Sequence, residues 1–322
     1  MRVSLRAALV LAAILLAIAP VLSGNAFYQR IAALVVLAAI SASAWNVIGG
    51  YGGQVSFGHS VYFGIGGYAA LLSFTKLGLP PIAGAPLGML ASLLLSAIVG
   101  LPSFRLRGHY FSMATIAIAA LAELLVTNWG WAGGAIGLMG PATPRSPADL
   151  LFRSALPYYA IFLVVLAVLL ALTWWMQRSR MGFYLRAISS GERAAESLGV
   201  PIRRTKLYAL FLSGAFTALA GSLYAVMIGF IDPDSGFGIL VSVNMVVMAA
   251  LGGAGTLFGP LAGAIILVPL EETTNAVLGG GGSGAAYVAY GIIIMLLARF
   301  SPGGLAQWVP RPSAEKRVRR AA

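Results

Sequence analysis

Long apolar runs recur along this chain of 322 residues and constrain its fold more than any other feature. A helix of roughly 20 apolar residues crosses the hydrocarbon core of a bilayer, which is about 30 Å thick. Hydrophobic residues make up 59% of the chain and charged residues only 9%, whereas soluble domains carry about 25% charged residues. The composition therefore predicts an all-α polytopic membrane protein with about 8–10 transmembrane helices.

The apolar runs divide the chain into candidate spans joined by polar or glycine-rich connections. Their predicted bounds are 5–22, 29–48, 55–75, 82–101, 109–127, 157–176, 206–230, 239–252, 259–277 and 286–300. Run 5–22 fits either a signal peptide or a first membrane helix, and its length favours a retained helix. Segment 55–75 is rich in glycine and segment 239–252 is short, so each fits either a full span or a broken, re-entrant segment.

Basic residues are distributed unevenly between the two sides of this topology. Seventeen of the 21 lysines and arginines fall on the side of both termini. Positive charge accumulates on the cytoplasmic side, so both termini and loop 177–206 are predicted to be cytoplasmic and loop 128–156 external. This bias explains the net charge of +12 without a nucleic-acid partner. Residues 1–308 then form one transmembrane domain, and 309–322 form a basic tail that is attracted to anionic membrane lipid.

Loop 177–206 is strongly polar and carries seven basic residues. Ser189 and Glu192 have the spacing of a capping box, which marks the start of a helix. Gly199 suits the left-handed residue after a helix end, and the proline two residues later prevents continuation. These signals predict a short polar helix at roughly 190–199 on the cytoplasmic side.

Two glycine-rich segments, 49–68 and 251–264, interrupt the apolar pattern in a similar way. Within lipid, a broken helix is stable only where it is buried in protein or lines a wet cavity. The glycines therefore indicate either close helix packing alone or half-helices that line a translocation path in a duplicated core. The candidate path residues are Tyr51, Gly52, Gly53, Gln54, Ser56, His59, Glu123, Gly252, Gly253, Gly255 and Thr256.

Few ionisable side chains lie at membrane depth, and each is a candidate for function because charge is costly to bury in lipid. His59 fits either the path or a neutral histidine that is hydrogen-bonded inside the bundle. Glu123 lies in the outer half of its span, where it can face a water-filled cavity. Glu271 and Glu272, near an outer helix end, suit a basic partner surface or simple solvation. No phosphate-binding loop, zinc-binding helix or nucleophile elbow is present, which predicts a protein that is not an enzyme and needs no metal or cofactor.

Several motifs occur in order along nearly the whole chain. They are Trp45-Asn-Val-Ile-Gly-Gly-Tyr-Gly-Gly-Gln-Val-Ser-Phe-Gly-His59, Gly64-Ile-Gly-Gly-Tyr68, Leu106-Arg-Gly-His-Tyr-Phe111, Gly133-Gly-Ala-Ile-Gly-Leu138, Met248-Ala-Ala-Leu-Gly-Gly-Ala-Gly-Thr-Leu-Phe-Gly-Pro260 and Phe300-Ser-Pro-Gly-Gly-Leu305. This series resembles the LivM-type branched-chain amino-acid ABC transporter permeases. The resemblance implies that domain 1–308 is the permease of an importer that works by alternating access.

The family resemblance also implies partner chains and a coupling site. The partners are a paired permease of the same family, two cytoplasmic ATPase subunits and an external substrate-binding protein, expected near 128–156 and 232–237. Segment 192–199 resembles the ATPase-coupling loop of the family, in which small residues allow close seating and a carboxylate offers a charged contact. Its candidate coupling residues are Glu192, Ala194, Ala195, Glu196 and Gly199.

Two alternatives are compatible with the same residues. Importers of urea or short amides share much of this signature, and the selecting protein is a separate chain. A stand-alone, ion-coupled secondary transporter would need intramembrane acids, and Glu123 is the only plausible member of such a site.

Overall fold

The computed structural model describes residues 24–106, 108–140 and 149–277, together with the isolated positions 288, 291, 292, 295 and 304. The predicted span 5–22 and the tail 309–322 lie outside the described residues, as does most of span 286–300.

The described chain is almost entirely helical. Its α-helices are α1 (Ala26–Asn46), α2 (His59–Leu77), α3 (Pro81–Ser103), α4 (His109–Thr127), α5 (Leu156–Arg178), α6 (Arg180–Ser190), α7 (Glu192–Ser197), α8 (Ile202–Ile228), α9 (Pro233–Phe237), α10 (Ile239–Gly252) and α11 (Gly259–Val277). A π-helical turn, Val47–Tyr51, continues α1. Two short strands, β1 (Leu138–Met139) and β2 (Phe230–Ile231), pair antiparallel, with Leu138 opposite Ile231.

Six helical segments are long and apolar enough to cross a membrane, judged by length and composition among the described residues. They are Ala26–Tyr51, Pro81–Ser103, His109–Thr127, Leu156–Arg178, Ile202–Ile228 and Pro233–Gly252. This confirms the predicted all-α polytopic class.

The two predicted spans that fit either a full span or a re-entrant segment, 55–75 and 239–252, differ in how they begin. Residues 53–58 are non-helical, and α2 then runs for 19 residues, which is about 28 Å at roughly 1.5 Å per residue. The predicted segment 239–252 coincides with α10, which α9 precedes almost without a break, and the two together make a segment of 20 residues. Each segment is therefore close to the thickness of the hydrocarbon core.

Helices α2 and α8 pack so closely that their contact surface requires glycine. A Cβ atom on Gly66 would overlap the carbonyl oxygen of Ala218, and one on Gly221 would overlap that of Phe63. The hydroxyl of Ser222 donates to the Gly66 carbonyl oxygen at 2.8 Å, which adds a polar contact across the same interface. Small residues allow membrane helices to approach and gain dispersion energy where the hydrophobic effect is absent.

Helix α1 is central and α4 is peripheral. In the segment Ala26–Tyr51, 83% of the apolar window is buried within the chain, against 17% in His109–Thr127. Helix α4 thus leaves most of its apolar surface for lipid or for another protein chain.

Candidate functional site

The two glycine-rich segments predicted to line a path are packed against each other. The Asn46 amide donates from Nδ2 to the carbonyl oxygen of Thr256 at 2.9 Å, and its Oδ1 accepts from the Gly255 N–H at 2.8 Å. A Cβ on Gly50 would lie 2.4 Å or less from these same groups, and a Cβ on Gly252 would overlap the Gly259 carbonyl oxygen. At this contact the glycines allow the two segments to pack closely, which is one of the two interpretations given for them above.

The polar residues of the first segment are mostly buried and bonded within the chain. Tyr51 is buried, and its hydroxyl oxygen accepts from Nε2 of Gln177 at 2.5 Å. Gln54 is buried, and its backbone N–H donates to Ile48 at 3.1 Å. The Ser56 carbonyl oxygen accepts from the Trp45 indole at 2.7 Å.

The same segment also contacts α6. Gly53 has φ +66° and is exposed, and a Cβ built on it would lie 3.1 Å from the Cβ of Ser189 in α6. A Cβ on Gly52 would lie 3.4 Å from Leu185 of the same helix. Displacement of α6 would therefore press directly on the glycine-rich segment.

His59 is a fully buried member of a hydrogen-bond relay. The Ser213 hydroxyl donates to the Ala44 carbonyl oxygen at 2.6 Å, so its oxygen accepts from His59 Nε2 at 2.7 Å. His59 Nδ1 then accepts from the Ser56 hydroxyl at 3.1 Å, and that hydroxyl accepts from the Gly58 N–H at 3.3 Å. Both ring nitrogens of a neutral His59 thus have a hydrogen-bond partner inside the bundle. This arrangement agrees with the second interpretation of His59, a neutral histidine that is hydrogen-bonded inside the bundle.

Glu123 stands apart from the glycine-rich segments. It lies on the peripheral helix α4, is partly exposed, and is within electrostatic range of Asp234 in α9. Glu123 therefore lies near α9 and away from the other predicted path residues. Those other residues belong to the two glycine-rich segments, which contact each other.

An open cavity lies elsewhere, between α1, α10 and α11. Its volume is about 280 Å³, and its lining includes Leu34, Ser41, Asn244, Met245, Glu271 and Glu272. None of the predicted path residues lines it. The sequence carries one signal for this cavity, because the lining residues recur at intervals of three and four along each helix, but that spacing alone does not distinguish a cavity from a packed core.

The loop predicted to couple to an ATPase contains two helices rather than one. Helix α6 occupies 180–190, so Ser189 lies inside it and donates to the Arg186 carbonyl oxygen at 2.9 Å. The predicted capping box is wrong, because Gly191 is the N-cap of α7 and supplies no side-chain hydrogen bond. The predicted stop is confirmed, since Gly199 has φ +79°.

Glu192 is engaged within the chain. Its Oε1 lies 2.8 Å from Nζ of Lys206, a fully buried lysine near the start of α8. The ammonium group also lies 5.8 Å from the ring centroid of Phe104. This ion pair ties α7 to α8 and leaves the charged contact expected of Glu192 directed inward.

The exposed surface of α7 and of the two residues after it overlaps the predicted coupling set only in part. Ala194, Glu196 and Gly199 are exposed, and Leu198 is 83% exposed. Ala195 was expected to seat a partner, but it is buried and packs in the cluster of Ile188 and Ile202. Sequence reasoning missed Leu198, although an apolar residue directly after so polar a helix is a signal for contact with a partner.

Comparison with known proteins identifies the family. A family model for branched-chain amino acid transport system / permease component matches residues 27–300. The chain is 29% identical over 265 residues to the high-affinity branched-chain amino acid transport system permease protein LivM of Escherichia coli (strain K12), covering 75% of this chain and 62% of LivM.

Two further relatives are similar over different lengths. The permease protein BraD of Pseudomonas aeruginosa is 26% identical over 299 residues, covering 86% of this chain and 93% of BraD. The autoinducer 2 import system permease protein LsrC of Klebsiella pneumoniae is 30% identical over 194 residues, covering 59% of this chain and 51% of LsrC. Although the match spans about three fifths of LivM, the family model covers most of this chain. The chain therefore belongs to the family of branched-chain amino acid transport system permease components.

Proposed function

We propose that this chain is the membrane-spanning permease of an ATP-binding-cassette importer for branched-chain or related hydrophobic amino acids. The observation that carries the proposal is the family match over residues 27–300. The likeness to BraD, a branched-chain amino acid permease protein by its description, extends over 93% of that protein and supports the same cargo.

The importer would be assembled from several chains in the bacterial inner membrane. A second permease of the same family would pack beside this one, two ATPase subunits would bind on the cytoplasmic side, and a substrate-binding protein would dock outside. Exposed apolar helix surfaces, such as that of α4, are compatible with a paired permease. The external connections around 128–140 and 232–237 are the surfaces available for the binding protein.

ATPase coupling would pass through α7. The exposed Leu198 and Gly199, which directly follow α7, would form the surface that contacts the ATPase. An exposed leucine can fill an apolar pocket, and a glycine permits close approach. The Glu192–Lys206 pair would carry the displacement of α7 into α8, and α6 would carry it to Gly53. Alternating access would follow from the resulting movement of the packed core.

The relatives import different kinds of cargo, so the cargo class is the more specific part of this proposal. LsrC is described as an autoinducer 2 import permease, and urea or short-amide importers have a similar signature, so the fold accepts several cargoes. An ion-coupled secondary transporter is the less favoured function, because Glu123 is isolated from the other candidate path residues.

The test is co-purification of the tagged chain with its ATPase subunits in mild detergent. We expect Gly199→Arg to lose the ATPase subunits, because the large cation would prevent close seating of α7. The matched control is Gly78→Arg, which lies at the far end of α2, is also exposed and left-handed at φ +65°, and also has open space around it.

Two results would contradict the coupling proposal. Retention of ATPase by Gly199→Arg would remove α7 as the contact. Absence of ATPase from the wild-type chain in several detergents would argue against an ABC importer and would direct attention to ion-driven flux.

A further inference from the structure

The cavity between α1, α10 and α11 is built from one face of each helix. Its lining follows α1 from Leu34 to Ser41, α10 from Val241 to Met248, and α11 from Val268 to Glu272. Lining residues within each stretch recur at intervals of three or four, so each helix presents a continuous side to the space. Ser235, in the connection that precedes α10, also lines the cavity.

The cavity separates apolar from charged groups. Leucine, methionine, valine and phenylalanine supply half of the lining residues, whereas the carboxylates Glu271 and Glu272 lie in the second half of α11. Arg30 precedes Leu34 by one helical turn on α1 and therefore continues the cavity-lining face outward. The Tyr224 hydroxyl, which also lines the cavity, is within electrostatic range of Arg30, Glu271 and Glu272.

The polar groups are placed to receive a ligand. Among the residues that the structure describes, no side-chain or backbone group bonds to the amide of Asn244, which lines the cavity. Ser41 donates to the Leu37 carbonyl oxygen at 3.2 Å and keeps acceptor capacity on its hydroxyl oxygen. A volume of about 280 Å³ is close to the lower limit of roughly 300 Å³ for small-molecule sites, which suits a small ligand.

We propose that this cavity is a binding site for a single zwitterionic aliphatic amino acid on its way through the permease. The aliphatic side chain lies against Leu34, Met245 and Val268, the ammonium group faces Glu271 and Glu272, and the carboxylate faces Arg30. Both charges of the ligand are then met by opposite charge, and its apolar part is removed from water. The inference rests on the proposed importer function and adds to it a site within this one chain.

Thiol labelling tests the site directly, because the chain contains no cysteine. Ala38→Cys puts a small thiol on the partly exposed cavity face of α1. In membrane vesicles that contain the assembled importer, we expect a charged, membrane-impermeant thiol reagent to modify this cysteine. Saturating leucine should slow the modification about tenfold or more, whereas N-acetylleucine, which lacks the ammonium group, should not.

Ile136→Cys is the control for reagent access, since it lies in the external connection and is 84% exposed. Leucine should leave its labelling rate unchanged. If Ile136→Cys is labelled and Ala38→Cys is not, the cavity is filled in the assembly and the proposal is wrong. If Ala38→Cys is labelled but leucine gives no protection, the cavity is wet but is not this site, and the proposal is again wrong.

The charge requirement is tested in the same background. Adding Glu271→Gln and Glu272→Gln to Ala38→Cys should raise the leucine concentration for half protection about tenfold or more, because the ammonium group loses its partners. An unchanged concentration would contradict the assigned orientation. Because protection is measured without ATP turnover, its failure is distinguishable from failure of the importer function, which the co-purification reports.

Discussion

Lys206 is a fully buried lysine that joins α8 to α7. A fully buried ammonium group is costly unless a carboxylate compensates it, and Glu192 does so at 2.8 Å. Because Glu192 begins α7 and Lys206 lies in α8, the electrostatic requirement of one side chain fixes the position of an entire helix. His59 plays a comparable structural role in the membrane core.

Removing one charge of the pair should destabilise the fold more than removing both. Glu192→Gln removes a carboxylate that compensates the buried ammonium group of Lys206, at a cost of about 3–5 kcal/mol at most, because Glu192 is partly exposed and partly screened. The double variant Glu192→Leu with Lys206→Met should recover much of this loss. Thermal unfolding in detergent checks the order, and equal midpoints for the single variant and the wild type would contradict it.

His59→Ala should also lower the unfolding midpoint. The substitution leaves the Ser56 hydroxyl without the ring nitrogen to which it donates, and an unsatisfied buried group costs about 1–3 kcal/mol, whereas the Ser213 hydroxyl still donates to Ala44. If the midpoint is unchanged while transport falls, the relay has a transport role that exceeds its contribution to packing.

At the scale of elements, α2 and α8 make one of the close backbone contacts that the glycines identify. Gly66 and Gly221 each face a carbonyl oxygen of the opposite helix, so backbone meets backbone without an intervening side chain. The two helices therefore form one closely packed unit, and α8 is also the helix that Lys206 joins to α7.

Gly221→Ala should destabilise this unit. The added methyl group would overlap the Phe63 carbonyl oxygen and force the helices apart, at a cost of about 1–3 kcal/mol or more. Gly130→Ala is the matched control, because no atom lies within 4 Å of the added methyl group at that position. A midpoint for Gly221→Ala equal to that of the control would show that the interface adapts without strain.

For the whole molecule, the connection after α4 and the connection that contains α7 lie at opposite ends of α5. This follows from the chain order, since α5 runs between the two connections for 23 residues. The distribution of arginine and lysine predicts that the α7 end is cytoplasmic.

Cysteine accessibility tests this orientation. In intact spheroplasts, an impermeant thiol reagent should label Ile136→Cys, whereas Leu198→Cys should be labelled only after permeabilisation. Both side chains are highly exposed, so a difference between them reports sidedness and not burial. Labelling of Leu198→Cys in sealed spheroplasts would invert the topology.

The sequence alone determined the membrane class, most helix positions and the stop of α7. These depend on interactions between near neighbours: apolar runs set by bilayer thickness, and Gly199 at a left-handed position that its own backbone requires. The start of α7 was mispredicted because the capping signal of Ser189 was overridden when α6 extended through that position. A local signal loses when a longer helix satisfies the same backbone groups.

Only the tertiary structure decided which residues meet. Asn46 and Gly255 are 209 positions apart, and nothing in either local sequence specifies that they bond. Likewise, the apolar spacing of α1 predicts a buried face but not whether that face is packed or left open, because a cavity is defined by three helices at once. The helices were therefore predictable from the sequence. The hydrogen-bond relay at His59, the Glu192–Lys206 pair and the cavity exist only through long-range packing.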